Sequence, residues 1–196
     1  MSTLKVGAIQ STTGNAAMTV ANTGVITAPN AIVAPGSVLQ VQYTQYTSRT
    51  SVSLSANTST PLSVLTVNIT PKSTSSIIKL DTHIFHEWGG ANDSQDTVWF
   101  FYRDTTKLAF AQDGSRNCGI STSRISYGGT TDADSTPEVA YYSYFDAPST
   151  TSQITYKVGV LNNSTSTVYI NQTASNTDSN EYERGLSFIS ATEIGG

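Results

Sequence analysis

The stretch richest in groups able to do chemistry is Asp81-Thr82-His83-Ile84-Phe85-His86-Glu87, which holds both histidines of the chain. A zinc-protease helix sets two histidines four residues apart on one face, with a glutamate between them. Here the spacing is three and the surrounding pattern is that of a strand, so His83 and His86 project to opposite faces. Asp81, His83 and Glu87 share a face, which would allow a metal site. Carboxylates flanking one imidazole are also the pattern of an ordinary solvated strand face. The solvated face is the expectation, and no metal or other cofactor is expected.

Other candidate chemistry is weaker. The acidic loops Asn92-Asp93-Ser94-Gln95-Asp96 and Asp132-Ala133-Asp134 carry oxygen ligands that suit Ca²⁺, but neither has the twelve-residue EF-hand spacing. Serine and threonine are abundant, yet no Gly-x-Ser-x-Gly elbow occurs and only two histidines could serve as a base. Paired carboxylates of the glycosidase type can be drawn from many positions and single out none. The expectation is a protein without a catalytic residue.

The aromatic residues bear on binding. Trp88, Trp99, Phe100, Phe101, Tyr102, Tyr127, Tyr141, Tyr142, Tyr144 and Phe145 concentrate in the middle of the chain. In a strand such as Trp99-Phe100-Phe101-Tyr102 successive rings leave on opposite faces. Half of them fill a core, and the other half must meet solvent, a partner or a ligand. A ring beside Asn and Asp suits stacking on a sugar, and aromatic residues are also enriched between subunits. The ligand-facing candidates are Trp88, Asn92 and Asp93, and a host surface glycan is the ligand class they suggest.

These groups must be positioned by a chain of 196 residues with formal net charge -4 and 12% charged residues. That balance excludes the basic footprint nucleic-acid binding needs. No run approaches the roughly 18 apolar residues of a membrane span, and the N-terminus has no apolar stretch of the kind a secretory signal carries. Cys118 is the only cysteine, so no intrachain disulfide forms, and an inert buried thiol is expected. Several Asn-x-Ser/Thr sequons fall in a chain so rich in these residues that they carry no weight.

No stretch has sustained helical spacing with caps. Alternation predicts strands over 38–46, 62–69, 77–88, 97–103, 108–112, 119–127, 139–145, 154–161, 167–172 and 186–194, separated by turns rich in Gly, Pro, Asn and Ser. In the first of these Leu39, Val41 and Tyr43 share one face and Gln40, Gln42 and Thr44 the other. The expectation is an all-β antiparallel sandwich or jelly roll over residues 37–196. Before it, residues 1–36 hold two short β-type stretches, each running into a polar turn that ends in glycine. Neither stretch can bury much alone, and ordering each residue costs about 1–2 kcal/mol of backbone entropy. They are expected to order against other copies and to anchor the chain through Leu4, Val6, Ile9, Met18 and Val20.

The opening Met1-Ser2-Thr3-Leu4-Lys5-Val6, with Ile9-Gln10 and Thr13-Gly14, resembles the start of tail-fibre-like and virion-appendage proteins of bacteriophages that infect aquatic bacteria such as cyanobacteria. The remainder resembles a recurrent C-terminal domain of that group, through Gly36-Ser37-Val38-Leu39-Gln40-Val41, Ile69-Thr70-Pro71-Lys72-Ser73, Tyr102-Arg103-Asp104, Phe145-Asp146-Ala147-Pro148, Val168-Tyr169-Ile170-Asn171-Gln172 and Glu193-Ile194. The resemblance implies a structural virion protein with a β-sandwich head, assembled as a homotrimer and contacting other virion proteins of the capsid or tail. It brings no catalytic residue. The short N-terminal segment departs from long fibres and fits a knob, docking stem or capsid decoration. Two further readings stand beside this one: a carbohydrate-binding module that recognises a host receptor, and a polysaccharide depolymerase.

Overall fold

A computed structural model describes residues 8–10, 16–27, 35–89, 95–122 and 135–196. Among them there is no helix, and all strand pairing is antiparallel. The first three strands, β1 (Ala8–Gln10), β2 (Ala16–Val20) and β3 (Ile26–Thr27), form a small meander in that order. Gly24 closes its second turn with a positive φ of 81°, donating to the Ala21 carbonyl, a conformation glycine adopts at no steric cost.

The remaining strands build two facing sheets. They are β4 (Val38–Tyr46), β5 (Thr50–Leu54), β6 (Thr60–Ile69), β7 (Ile77–Trp88), β8 (Val98–Arg103), β9 (Thr106–Leu108), β10 (Glu138–Asp146), β11 (Ile154–Leu161), β12 (Ser166–Ile170) and β13 (Ser187–Ile194). One sheet runs β6-β11-β8-β9, and the other contains β4, β13, β7, β12 and β5 with β10 on the far side of β7.

The register simplifies the second sheet. Along one edge of β7, residues 77–83 pair with β13 and residues 86–88 with β12. β13 pairs in turn with β4, and β12 with β5. Thus β12 and β13 are one row interrupted by residues 171–186, and β4 and β5 are one row interrupted by Thr47-Ser48-Arg49. The sheet is four rows wide, like its partner.

Strand bounds follow the alternation closely at β4, β7 and β11. Differences arise where packing decides. The strand expected over 108–112 is the short β9, ending at Leu108, because β8 turns back sharply through Asp104, whose φ is 53°. Of the stretch expected over 119–127, Ser121 makes an isolated bridge to Trp99, and residues 123–127 lie outside the described ones. β5 escapes the alternation test because only Val52 and Leu54 are large and apolar in it.

The core lies between the sheets. Leu54, Ile78, Leu80, Ile84, Val168 and Ile189 of one sheet meet Leu62, Leu65, Trp99, Phe101, Tyr156 and Val158 of the other. Tyr142 crosses the gap, its hydroxyl donating to the Phe100 carbonyl at 2.9 Å and its ring 4.8 Å from that of Phe101. The alternate rings of β8 point away from this core, yet Phe100 is fully buried. Ala109 and Ile120 pack over it, and the Lys107 ammonium sits 4.2 Å above the ring. Phe100 on the outward side of that run therefore meets its own chain, while Tyr102 beside it is half-buried.

Gly159 of β11, opposite Phe100 in register, makes this second layer possible. A Cβ there would stand 2.4 Å from the Phe100 ring and 2.8 Å from that of Tyr102. Gly159→Val is expected to cost about 1–3 kcal/mol through overpacking, read as a lower urea midpoint with an unchanged slope.

Candidate functional site

The structure separates the ligand-facing candidates. Trp88 is 2% exposed, with its indole ring at 6.0 Å and edge-on to His86 and at 6.2 Å to Trp99. It is a core residue and offers no face for a sugar; its inward place follows from the alternation of β7, which also buries Leu80, Ile84 and His86. Asn92 and Asp93 lie outside the described residues, as do Asp132, Asp134, Leu4 and Val6. Asp96 accepts a hydrogen bond from Asn163 at 3.0 Å.

The two histidines do part to opposite faces. His83 points outward and stacks on Phe188, with ring planes 8° apart. His86 is buried and pairs with Glu138 of β10 at 3.5 Å. Asp81 and His83 share the outward face, but Asp81 bonds Lys79 at 3.0 Å and Ser143 at 2.6 Å. Glu87 accepts from the backbone of Thr136 at 2.7 Å and of Ala174 at 3.0 Å. Among the described residues no three His, Cys, Asp or Glu side chains gather to hold a metal. Cys118 is buried.

What the fold does assemble is a broad outer face on the four-row sheet. Tyr141 of β10, His83 of β7, Phe188 of β13 and Gln45 of β4 lie in one cross-strand line. Phe145, Lys79, Thr192 and Val41 form the next line but one. Tyr43, Tyr141 and Phe145 are 71%, 61% and 60% exposed, and Val41, Val139 and Ile77 are exposed as well. On β4 the alternation holds while its sense is unusual for a sandwich: Val41 and Tyr43 face outward, whereas Gln40 bonds the buried Glu193 and Thr44 bonds the Thr66 carbonyl. The exposed apolar side chains lie on β10 and β4, and Lys79 and Asp81 of β7 with Ser190 and Thr192 of β13 make the ground between them polar. Sequence reasoning named Tyr141 and Phe145 among the aromatic residues without assigning them here. The signal that would have done so is their odd-numbered place on β10, opposite the inward Ala140 and Tyr142.

The meander exposes its apolar side chains in the same way. Ile9, Val25 and Ile26 are 54%, 59% and 60% exposed, Val20 is exposed and Met18 is half-buried. The three strands bury little apolar surface among themselves.

Several buried carboxylates tie distant stretches of the chain together. Glu193 receives Gln40 Nε2 at 2.6 Å, Ser76 Oγ at 2.7 Å and the Lys72 amide at 2.6 Å. Arg103 reaches both oxygens of Asp146, at 3.0 and 3.2 Å, and the Tyr156 hydroxyl donates to the same carboxylate at 2.7 Å. Burial first, and that bond second, push the Tyr156 hydroxyl far above its usual range, so it stays a proton donor. Each of these carboxylates accepts at least three hydrogen bonds.

Comparison of the chain with models of protein families and with curated protein sequences finds no match to either.

Burial taken alone would raise the Glu193 carboxyl, but the hydrogen bonds from Gln40, Ser76 and the backbone of Lys72 and Ser73 outweigh it and hold the group below its ordinary range. A folded-state pKa below the unfolded one contributes stability above the unfolded value, and that stability is lost as pH falls through the folded value. Urea midpoints should therefore drop on acidification below the ordinary glutamate range. Glu193→Gln should cost about 1–3 kcal/mol at neutral pH and flatten that acid limb.

Proposed function

We propose that the chain is a non-enzymatic structural protein of a bacteriophage virion, a homotrimeric fibre, knob or capsid-decoration appendage. Residues 1–36 anchor it to other virion proteins, and the sandwich of residues 37–196 faces outward, where it can meet the host surface. The observation that carries this reading is the N-terminal meander, whose apolar residues are left in water by their own chain. Such a segment gains enough to order only by burying those side chains against other copies or against a docking protein. The outer face bearing Tyr43, Tyr141 and Phe145 supplies a second surface for association between copies. The trimeric count and the virion setting come from the family resemblance, and the structural ties made by its motifs favour a role for those motifs in architecture.

We read the sandwich as a jelly roll. Numbering the rows in chain order, with β4 and β5 as the first and β12 and β13 as the eighth, row 1 pairs row 8, row 2 pairs row 7, row 3 pairs row 6 and row 4 pairs row 5. That is a long hairpin of paired rows rolled up on itself, the plan that virion and lectin jelly rolls share.

The carbohydrate-binding reading loses the aromatic residue that motivated it, since Trp88 is in the core. A chain lacking residues 1–36 is expected to keep its β-type circular dichroism and cooperative unfolding while failing to join particles assembled in its absence. Normal incorporation of the truncated chain would sink the anchor assignment.

A further inference from the structure

The two row interruptions described above coincide. Thr47-Ser48-Arg49, between β4 and β5, faces residues 171–186, between β12 and β13, because Tyr46 pairs with Ser187 and Thr50 with Ile170. Between them opens a cleft of about 1000 Å³ whose lining includes Arg49, Arg184, Asn171, Gln172 and Asn176.

Its floor is fixed. Asn171 is buried with φ of 62°, and its side-chain amide donates to the carbonyls of Tyr46 at 2.7 Å and Ser48 at 2.8 Å. Its oxygen accepts from Ser187 at 2.6 Å. Gln172 donates to the Thr50 carbonyl at 3.2 Å.

Its two cations share one neutral partner. Arg49 donates to Asn176 Oδ1 at 2.9 Å, and Arg184 donates to the same oxygen. Arg184 also donates to Thr173 Oγ1 at 3.2 Å and to the Glu183 carbonyl at 2.9 Å. Two guanidiniums thus converge on one neutral acceptor. Among the described residues neither forms a salt bridge, although the chain carries 14 carboxylate side chains against 10 Lys and Arg. Asp178, beside both arginines in the adjoining hollow with Tyr182, reaches neither of them.

Bringing two cations together at a neutral group leaves unused donors whose fork geometry matches a carboxylate. Around them the walls are hydroxyls and amides, which hydrogen-bond sugar hydroxyls, and the adjoining hollow adds the aromatic side chain of Tyr182. We propose that this cleft binds a carboxylate-bearing saccharide, a uronic-acid type of residue, with Arg49 and Arg184 on the carboxylate. The site is separate from Trp88, Asn92 and Asp93 and does not depend on the virion role.

The test is titration of the isotope-labelled full chain with trigalacturonate, maltotriose and inorganic sulfate, followed by NMR. Trigalacturonate is expected to shift the side-chain amide signals of Gln172 and Asn176, with maltotriose leaving them in place. Arg49→Gln and Arg184→Gln should each weaken binding by about tenfold. The assignment is overturned if trigalacturonate shifts nothing at the cleft, if both variants bind it undiminished, or if sulfate binds there as tightly as trigalacturonate. Should a variant not fold, the shift map of the unaltered chain still decides.

Discussion

A strand row inside a sandwich can be broken only where the backbone groups released by the break find other partners. This chain breaks two adjacent rows at the same level, and Asn171 makes that possible. In a left-handed conformation it ends β12, offers its amide to the carbonyls left open after β4, and accepts a hydrogen bond from the Ser187 hydroxyl, where β13 begins. Ser187 in turn accepts from the Phe85 amide of β7 at 3.0 Å. One buried side chain thereby joins three rows, and residues 171–186 can leave the sheet without stranding its polar groups. Glu193 plays the same part where β6 leads into β7, and Asp146 where β10 ends. The apolar core supplies cohesion. These ties decide where each strand stops.

Much of this plan is written in the alternation of the chain. Val38–Tyr46, Ile77–Trp88 and Ile154–Leu161 carry enough period-two pattern to set their own limits, and the absence of helix follows from the absence of helical spacing. The alternation also parts His83 from His86. It is silent on which side of a strand faces in. Trp88 lies inward because β7 runs through the middle of its sheet with Ile84 and Leu80 on the same side, whereas Tyr43 lies outward because its strand turns Gln40 and Thr44 toward buried partners. Neither outcome can be read from the residue type. The covering of Phe100 by Ala109, Ile120 and Lys107 is likewise a matter of long-range packing, permitted by the missing side chain at Gly159.

Lys72 and Ser76 with Glu193, Arg103 with Asp146, and Asn171 with Ser187 tie together segments that lie apart in sequence. Outside these ties apolar side chains stay exposed: Ile9, Val25 and Ile26 on the meander, and Tyr43, Tyr141 and Phe145 on the outer face of the four-row sheet. None of the described residues buries them.

Burial of these surfaces between copies can be read from sedimentation equilibrium of the intact chain across a wide concentration range. One species of three times the 20.8 kDa chain mass is expected. A monomer at every concentration, with its meander still in water, would contradict that burial.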